Sequence, residues 1–182
     1  MTAILVAGIG NIFKGDDAFG TEVARRLAAR PQPDGVEVVD FGIRGIDLTY
    51  ALLDGYDAAI LIDTAQRGEA PGTVSVVVPD PLSSEPLGPH DLVLELHALD
   101  PAKVLKVVAA MGGACRDVLL VACEPATFGD EETGHMGLSP QVAAAVDAAI
   151  PVVERLVRRL LAEEFARRGI HGAERNMTGD VQ

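Results

Sequence analysis

The chain is poor in cysteine, in basic residues and in long apolar runs, and each shortage removes a class of function. Cys115 and Cys123 are its two cysteines. They lie eight residues apart around one apolar segment, without CxxC spacing, so neither a disulfide framework nor a thiolate zinc site is indicated and reduced, buried thiols are expected. Fifteen Lys and Arg face 27 Asp and Glu, a formal net charge of −12. No basic stripe is present that could displace counterions from phosphates, which argues against nucleic acid as a partner. No apolar run approaches the ~18 residues of a membrane span. The opening MTAILVAGIGN passes from a short apolar run straight into a turn, unlike an export signal. No repeat of solenoid or propeller period occurs, and 48% hydrophobic residues in 182 suffice for one domain with a proper core.

What is present is an alternation of short β-rich runs with helical patterns, the signature of an α/β sheet. Strands are expected at Ala3–Ala7, Val36–Asp40, Ala58–Asp63, Gly72–Val78 and Val118–Cys123. The Thr/Ser alternation of the fourth suits an edge or antiparallel position. Helical spacing marks Phe19–Ala28, Ile46–Leu53, a segment opening at Pro101, and a long final helix capped by Ser139 with Pro140 at its first position and a kink at Pro151. On that last helix Glu154 with Arg158, Glu163 with Arg167 and Glu164 with Arg168 are expected as exposed i,i+4 pairs. The fold class is therefore α/β: a three-layer sandwich, phosphorylase/hydrolase-like, with a mostly parallel, twisted five-stranded sheet and helices on both faces. A single domain is expected over 1–169, followed by an irregular, flexible tail over 170–182. The charged outer faces give no reason to expect more than a monomer.

Ligands of parallel sheets bind outside the carboxyl ends of the strands, and three segments stand out there. Gly8-Ile9-Gly10-Asn11-Ile12-Phe13-Lys14-Gly15-Asp16-Asp17-Ala18-Phe19-Gly20 follows the first strand. It is not a dinucleotide loop: Phe13 stands where the third glycine of GxGxxG would fall, and Asp16-Asp17 would repel a pyrophosphate. The bland reading of these acids is helix capping. Asp63 ends the apolar third strand, where a carboxylate sits either at an open site or in an Asx-type turn. Glu95-Leu96-His97-Ala98-Leu99-Asp100-Pro101 carries an imidazole into a helix, with His90 nearby. Two carboxylates and one imidazole on neighbouring turns suit a divalent ion such as nickel or zinc, although no HExxH pair is present.

These segments resemble the maturation endopeptidases of nickel–iron hydrogenases. GIGNIFKGDDAFG is similar to that family's strand, Gly-x-Gly-Asn and acid-pair signature. Asp40-Phe41-Gly42-Ile43-Arg44-Gly45, Leu61-Ile62-Asp63-Thr64-Ala65, His97-Ala98-Leu99-Asp100-Pro101 and Gly137-Leu138-Ser139-Pro140-Gln141-Val142 resemble its later motifs, so the likeness runs from Ala3 to Leu161. The resemblance implies a cytoplasmic enzyme that removes a C-terminal extension from the hydrogenase large-subunit precursor after nickel insertion. It implies metal contacts at Asp17, Asp63 and His97, with aspartate at the first position where the family often has glutamate. His97 is preferred to His90 because the residues after it follow the family's pattern. Nickel, held by the precursor's own thiolates, would serve as a specificity check, and no organic cofactor is implied. A metal-polarised carbonyl or metal-activated water is the expected route of cleavage, with Asp16 free to handle protons. No GxSxG elbow is present, and covalent catalysis is the weaker choice. The alternatives are a non-catalytic nickel-binding maturation or scaffold protein, a peptidyl-tRNA hydrolase, which the acidity opposes, and a nucleotide-binding domain, which the absent third glycine opposes.

Overall fold

The computed structural model describes residues 2–79, 101–113, 115–129 and 135–177, with side chains to position 167. Five strands form one sheet: β1 (Ile4–Ile9), β2 (Val36–Gly42), β3 (Ala58–Thr64), β4 (Val74–Val77) and β5 (Asp117–Cys123). Their order is β2-β1-β3-β5-β4. Every pairing is parallel except β4 with β5, so the Thr/Ser-bearing strand is both an edge and antiparallel, as its composition predicts. The helices are α1 (Phe19–Ala28), α2 (Gly45–Leu53), α3 (Pro101–Ala110) and α4 (Pro140–Met177), with a 3-10 turn at Gly15–Ala18.

The two faces of the sheet follow from strand alternation. Ile4 and Val6 of β1 and Ile60 and Ile62 of β3 pack with Phe19, Val23 and Leu27 of α1 and with the apolar stripe of α4. Leu5, Ala7, Ile9, Ala59 and Leu61 face the other way, onto Leu48 and Leu52 of α2 and Val104, Leu105 and Val108 of α3. Both faces of β1 and β3 are buried, which is why these runs are continuously apolar in sequence.

The chain leaves β1 in one direction to β2 and in the other to β3, so a crevice opens above their carboxyl ends. Here α1 starts unusually close to the sheet. A Cβ on Gly20 would lie 2.1 Å from the Ile62 carbonyl oxygen and 2.2 Å from that of Ile9, and one on Gly8 would lie 2.4 Å from the Gly20 carbonyl. The glycines of the first motif thus serve backbone packing.

Two expectations for α4 are corrected. The helix continues to Met177, so residues 170–177, read as an irregular tail, have helical backbone; once a helix is nucleated, each further good helix former adds a hydrogen bond at little cost. Pro151 lies within it, and the helical assignment runs through that position. The charge pairing also differs. Glu164 is buried and bonds Arg116, and it accepts from Arg167 at 2.7 Å, while Arg167 reaches Asp117 at 2.6 Å. Glu154 pairs with Arg30 beyond α1 at 3.0 Å. Glu163 and Arg167 do approach, at 3.9 Å. Cross-element partners win because they tie α4 to β5 and to the end of α1, which local pairs cannot do.

Adding one methyl where backbone already fills the space forces strands and helix apart. Gly20→Ala is predicted to cost on the order of 3 kcal/mol, a fall in Tm of roughly 6–12 °C at this chain length, measurable by thermal unfolding followed by circular dichroism.

Candidate active site

The approach of α1 to the sheet brings Asp17, in the 3-10 turn, beside the end of β3. Asn11 N–H donates to Asp17 Oδ2 at 2.8 Å, and the Thr64 hydroxyl donates to Asp17 Oδ1 at 3.4 Å. Thr64 N–H donates to Asp63 Oδ1 at 2.7 Å. One residue therefore contacts both carboxylates, which come from positions 46 apart in sequence. The local bond at Asp63 reaches only the next residue and so is not the Asx-type turn weighed for it, whose bond runs two residues on; the same side chain also borders open space.

That space is a cavity of about 660 Å³ lined by Asp17, Asp63, Asn11, Lys14, Lys103 and Phe128, among others. Pro101 to Lys103, the first turn of α3, close one side of it. Asp63 is 6% exposed. Two carboxylates on one wall of a partly enclosed cavity make a donor set suited to a divalent cation of hard or borderline character. His90 and His97 lie outside the described residues. Among the described residues no three His, Cys, Asp or Glu side chains gather as a metal-binding group.

Asp16, the neighbour of Asp17, does not line the cavity. Its side chain is fully buried. Oδ2 accepts from the N–H groups of Ala126 and Thr127 at 2.8 and 3.0 Å and from the Ser139 hydroxyl at 3.0 Å, and Oδ1 accepts from Ser139 N–H at 2.6 Å. The sequence reading makes this carboxylate a proton handler; the structure places it away from the cavity, with four donors upon it. It does not cap its own helix either. Instead it ties the start of α4 and the segment after β5 to the turn that carries Asp17. Ser139 is the cap expected of it, accepting from Val142 N–H at 3.4 Å.

A second concavity, of about 290 Å³, adjoins the first through Asn11. Its rim holds the exposed side chains of Ile12, Phe13 and Ile43. Arg44 stiffens this loop, donating to the Asp40 and Phe41 carbonyls and lying 5.9 Å from the Phe41 ring centroid.

The cysteines are free and inert. Burial, with the Asp16 and Glu124 carboxylates nearby, pushes the Cys123 thiol up to about 11, and burial beside Asp117 and Asp57 does the same for Cys115. Neither supplies a thiolate nucleophile near neutrality.

The sequence reading missed three contributors. Thr64 and Asn11 position Asp17, and Glu124 is a buried acid whose carboxylate accepts from Arg67 and Gly68 N–H at 2.7 and 3.3 Å, shaping the loop after β3. The signal for Asn11 was available: a short polar side chain just after a strand forms an Asx turn, here with Phe13 N–H at 2.9 Å.

The burial of Asp16 separates a structural from a catalytic role. Asp16→Asn puts an amide where three N–H groups converge and is predicted to lower unfolding free energy by about 2–3 kcal/mol, measured by urea titration. A variant of unchanged stability would assign the carboxylate to chemistry instead.

Known proteins resemble this chain in sequence and in fold. Residues 21–156 match the model of the hydrogenase maturation protease family. The Escherichia coli hydrogenase 2 maturation protease is 30% identical over 173 residues, covering 92% of this chain and 98% of its own. The hydrogenase expression/formation protein HoxM of Azotobacter vinelandii is 32% identical over 187 residues, covering 100% of this chain and 81% of its own. In structure the chain is similar to the E. coli hydrogenase maturating endopeptidase HybD, with a TM-score of 0.67, 27% identity and coverage of 87% and 93%. With the matched model spanning most of the chain and a relative 30% identical over 92% of it, this chain belongs to the hydrogenase maturation protease family.

Proposed function

We propose that this chain is the endopeptidase that removes the C-terminal extension of a nickel–iron hydrogenase large-subunit precursor once nickel is in place. The observation that carries the reading is the pairing of Asp17 and Asp63 through Thr64 at the mouth of one cavity. Two carboxylates on the wall of one cavity oppose each other's charge, and a divalent ion between them relieves that opposition. Nickel is part of the substrate in this account, brought by the precursor on its own thiolates, and when bound it draws electron density from the carbonyl to be cut. His97, outside the described residues, is the third contact by resemblance.

The chain's own residues do the rest. Asn11 N–H and the Thr64 hydroxyl orient Asp17, so its carboxylate need not reorganise when the ion arrives. Hard and borderline donors grip nickel without competing for it against thiolates. The adjoining concavity, with Ile12, Phe13 and Ile43 on its rim, receives the polypeptide next to the scissile bond. An empty precursor lacks the bridging ion and binds more weakly, which gives selectivity for the loaded form. The site is at work in the cytoplasm, where the thiols of Cys115 and Cys123 stay reduced.

Purified chain incubated with nickel-loaded precursor is expected to shorten its C-terminus, seen as a mass loss, while nickel-free precursor stays intact. Asp17→Ala, Asp63→Ala and His97→Ala should each slow processing by about 100-fold or more, with unchanged circular dichroism. Processing that survived all three changes would contradict the site, and nickel-dependent binding without mass loss would favour a scaffold over a protease.

A further inference from the structure

We propose that Lys14 is a further catalytic residue, whose ammonium stabilises the negative charge that forms on the scissile carbonyl oxygen. The inference rests on the endopeptidase reading and adds a cation to a site so far described through its acids. Lys14 lines the cavity that Asp17 and Asp63 line. Its backbone is fixed on several sides: its N–H donates to the Asn11 carbonyl at 3.0 Å, its carbonyl accepts from Asp17 N–H at 3.1 Å, and it bridges to His135. Its side chain is exposed and enters no ion pair or hydrogen bond among the described residues. Arg25, Arg26, Arg30, Arg116 and Arg167, by contrast, are all engaged by carboxylates, and none of them lines this cavity. Lys103, the other ammonium on the cavity wall, already has an interaction of its own.

The chemistry explains why a cation is needed there. Hydrolysis consumes one water: its oxygen bonds to the carbonyl carbon, and the carbonyl π electrons move onto the carbonyl oxygen. They return as the C–N bond breaks, and the proton released by the water ends on the departing nitrogen. The charge on oxygen develops beside two carboxylates, which oppose it. An ammonium on a flexible stem, anchored at the turn that presents Asp17 and without a carboxylate partner among the described residues, offsets that opposition during the reaction rather than before it. The uncharged ground-state carbonyl gains far less from the same contact, so the benefit appears in kcat.

The test measures kcat and KM for cleavage of nickel-loaded precursor by the full chain, its Lys14→Met and its Lys14→Arg forms. Lys14→Met is expected to lower kcat by about tenfold or more with KM changed less than about threefold, and Lys14→Arg to recover most of the rate by keeping the charge. Circular dichroism should match throughout, because the side chain is exposed. A Lys14→Met form with full kcat, an effect confined to KM, or an arginine form as slow as the methionine form would each overturn the proposal. Failure of the unaltered chain to cut the loaded precursor would instead overturn the endopeptidase reading itself.

Discussion

The contact between the first turn of α1 and the carboxyl ends of β1 and β3, closer than any side chain could allow, is the constraint from which the site follows. Gly20 sits where a Cβ would strike the carbonyl oxygens of Ile9 and Ile62. Gly10, with φ +141°, leaves room for the Asp17 carbonyl, which a Cβ there would meet at 1.8 Å. Only with backbone against backbone does the 3-10 turn hang over the crevice and set Asp17 within reach of Thr64. The glycines therefore act on function at one remove: they place an acid from one strand end next to an acid from another.

The two adjacent aspartates show how geometry separates chemically identical groups. In a 3-10 turn successive side chains point about 120° apart. Asp17 is turned toward the cavity, and Asp16 is turned inward to Ser139 and to the backbone of Ala126 and Thr127. The inner carboxylate joins three separate stretches of chain, and the outer one inherits the rigidity of that joint. The acid pair at this position is thus one carboxylate buried in the fold and one presented to the cavity.

Much of this was legible in the amino-acid order. The continuous apolar runs of β1 and β3, the Thr/Ser pattern of β4, and the Ser139-Pro140 start of α4 each report a local or face-burial property, and local properties are what a sequence records most directly. That Asp17 and Asp63 lie near the carboxyl ends of β1 and β3 was also readable, because each comes at or after the close of an apolar run. What was not legible depends on distant partners. Glu164 reads as a surface residue of an amphipathic helix until Arg116, just before β5, is brought against it. The burial of Asp16 depends on segments more than 100 residues away. The spacing of the first-motif glycines argues against a dinucleotide loop without saying what they do, and only the packed backbone shows that helix and sheet need them.

The central claim is that three side chains, scattered in sequence, meet on one ion. Crystals of the chain equilibrated with nickel(II), with anomalous scattering recorded at the nickel edge, test it most directly. The account predicts one peak at roughly 2.0–2.3 Å from an oxygen of Asp17, an oxygen of Asp63 and a nitrogen of His97, distances ordinary for such ligands. A nickel peak bound elsewhere, or touching Asp17 or Asp63 but not both, would contradict it.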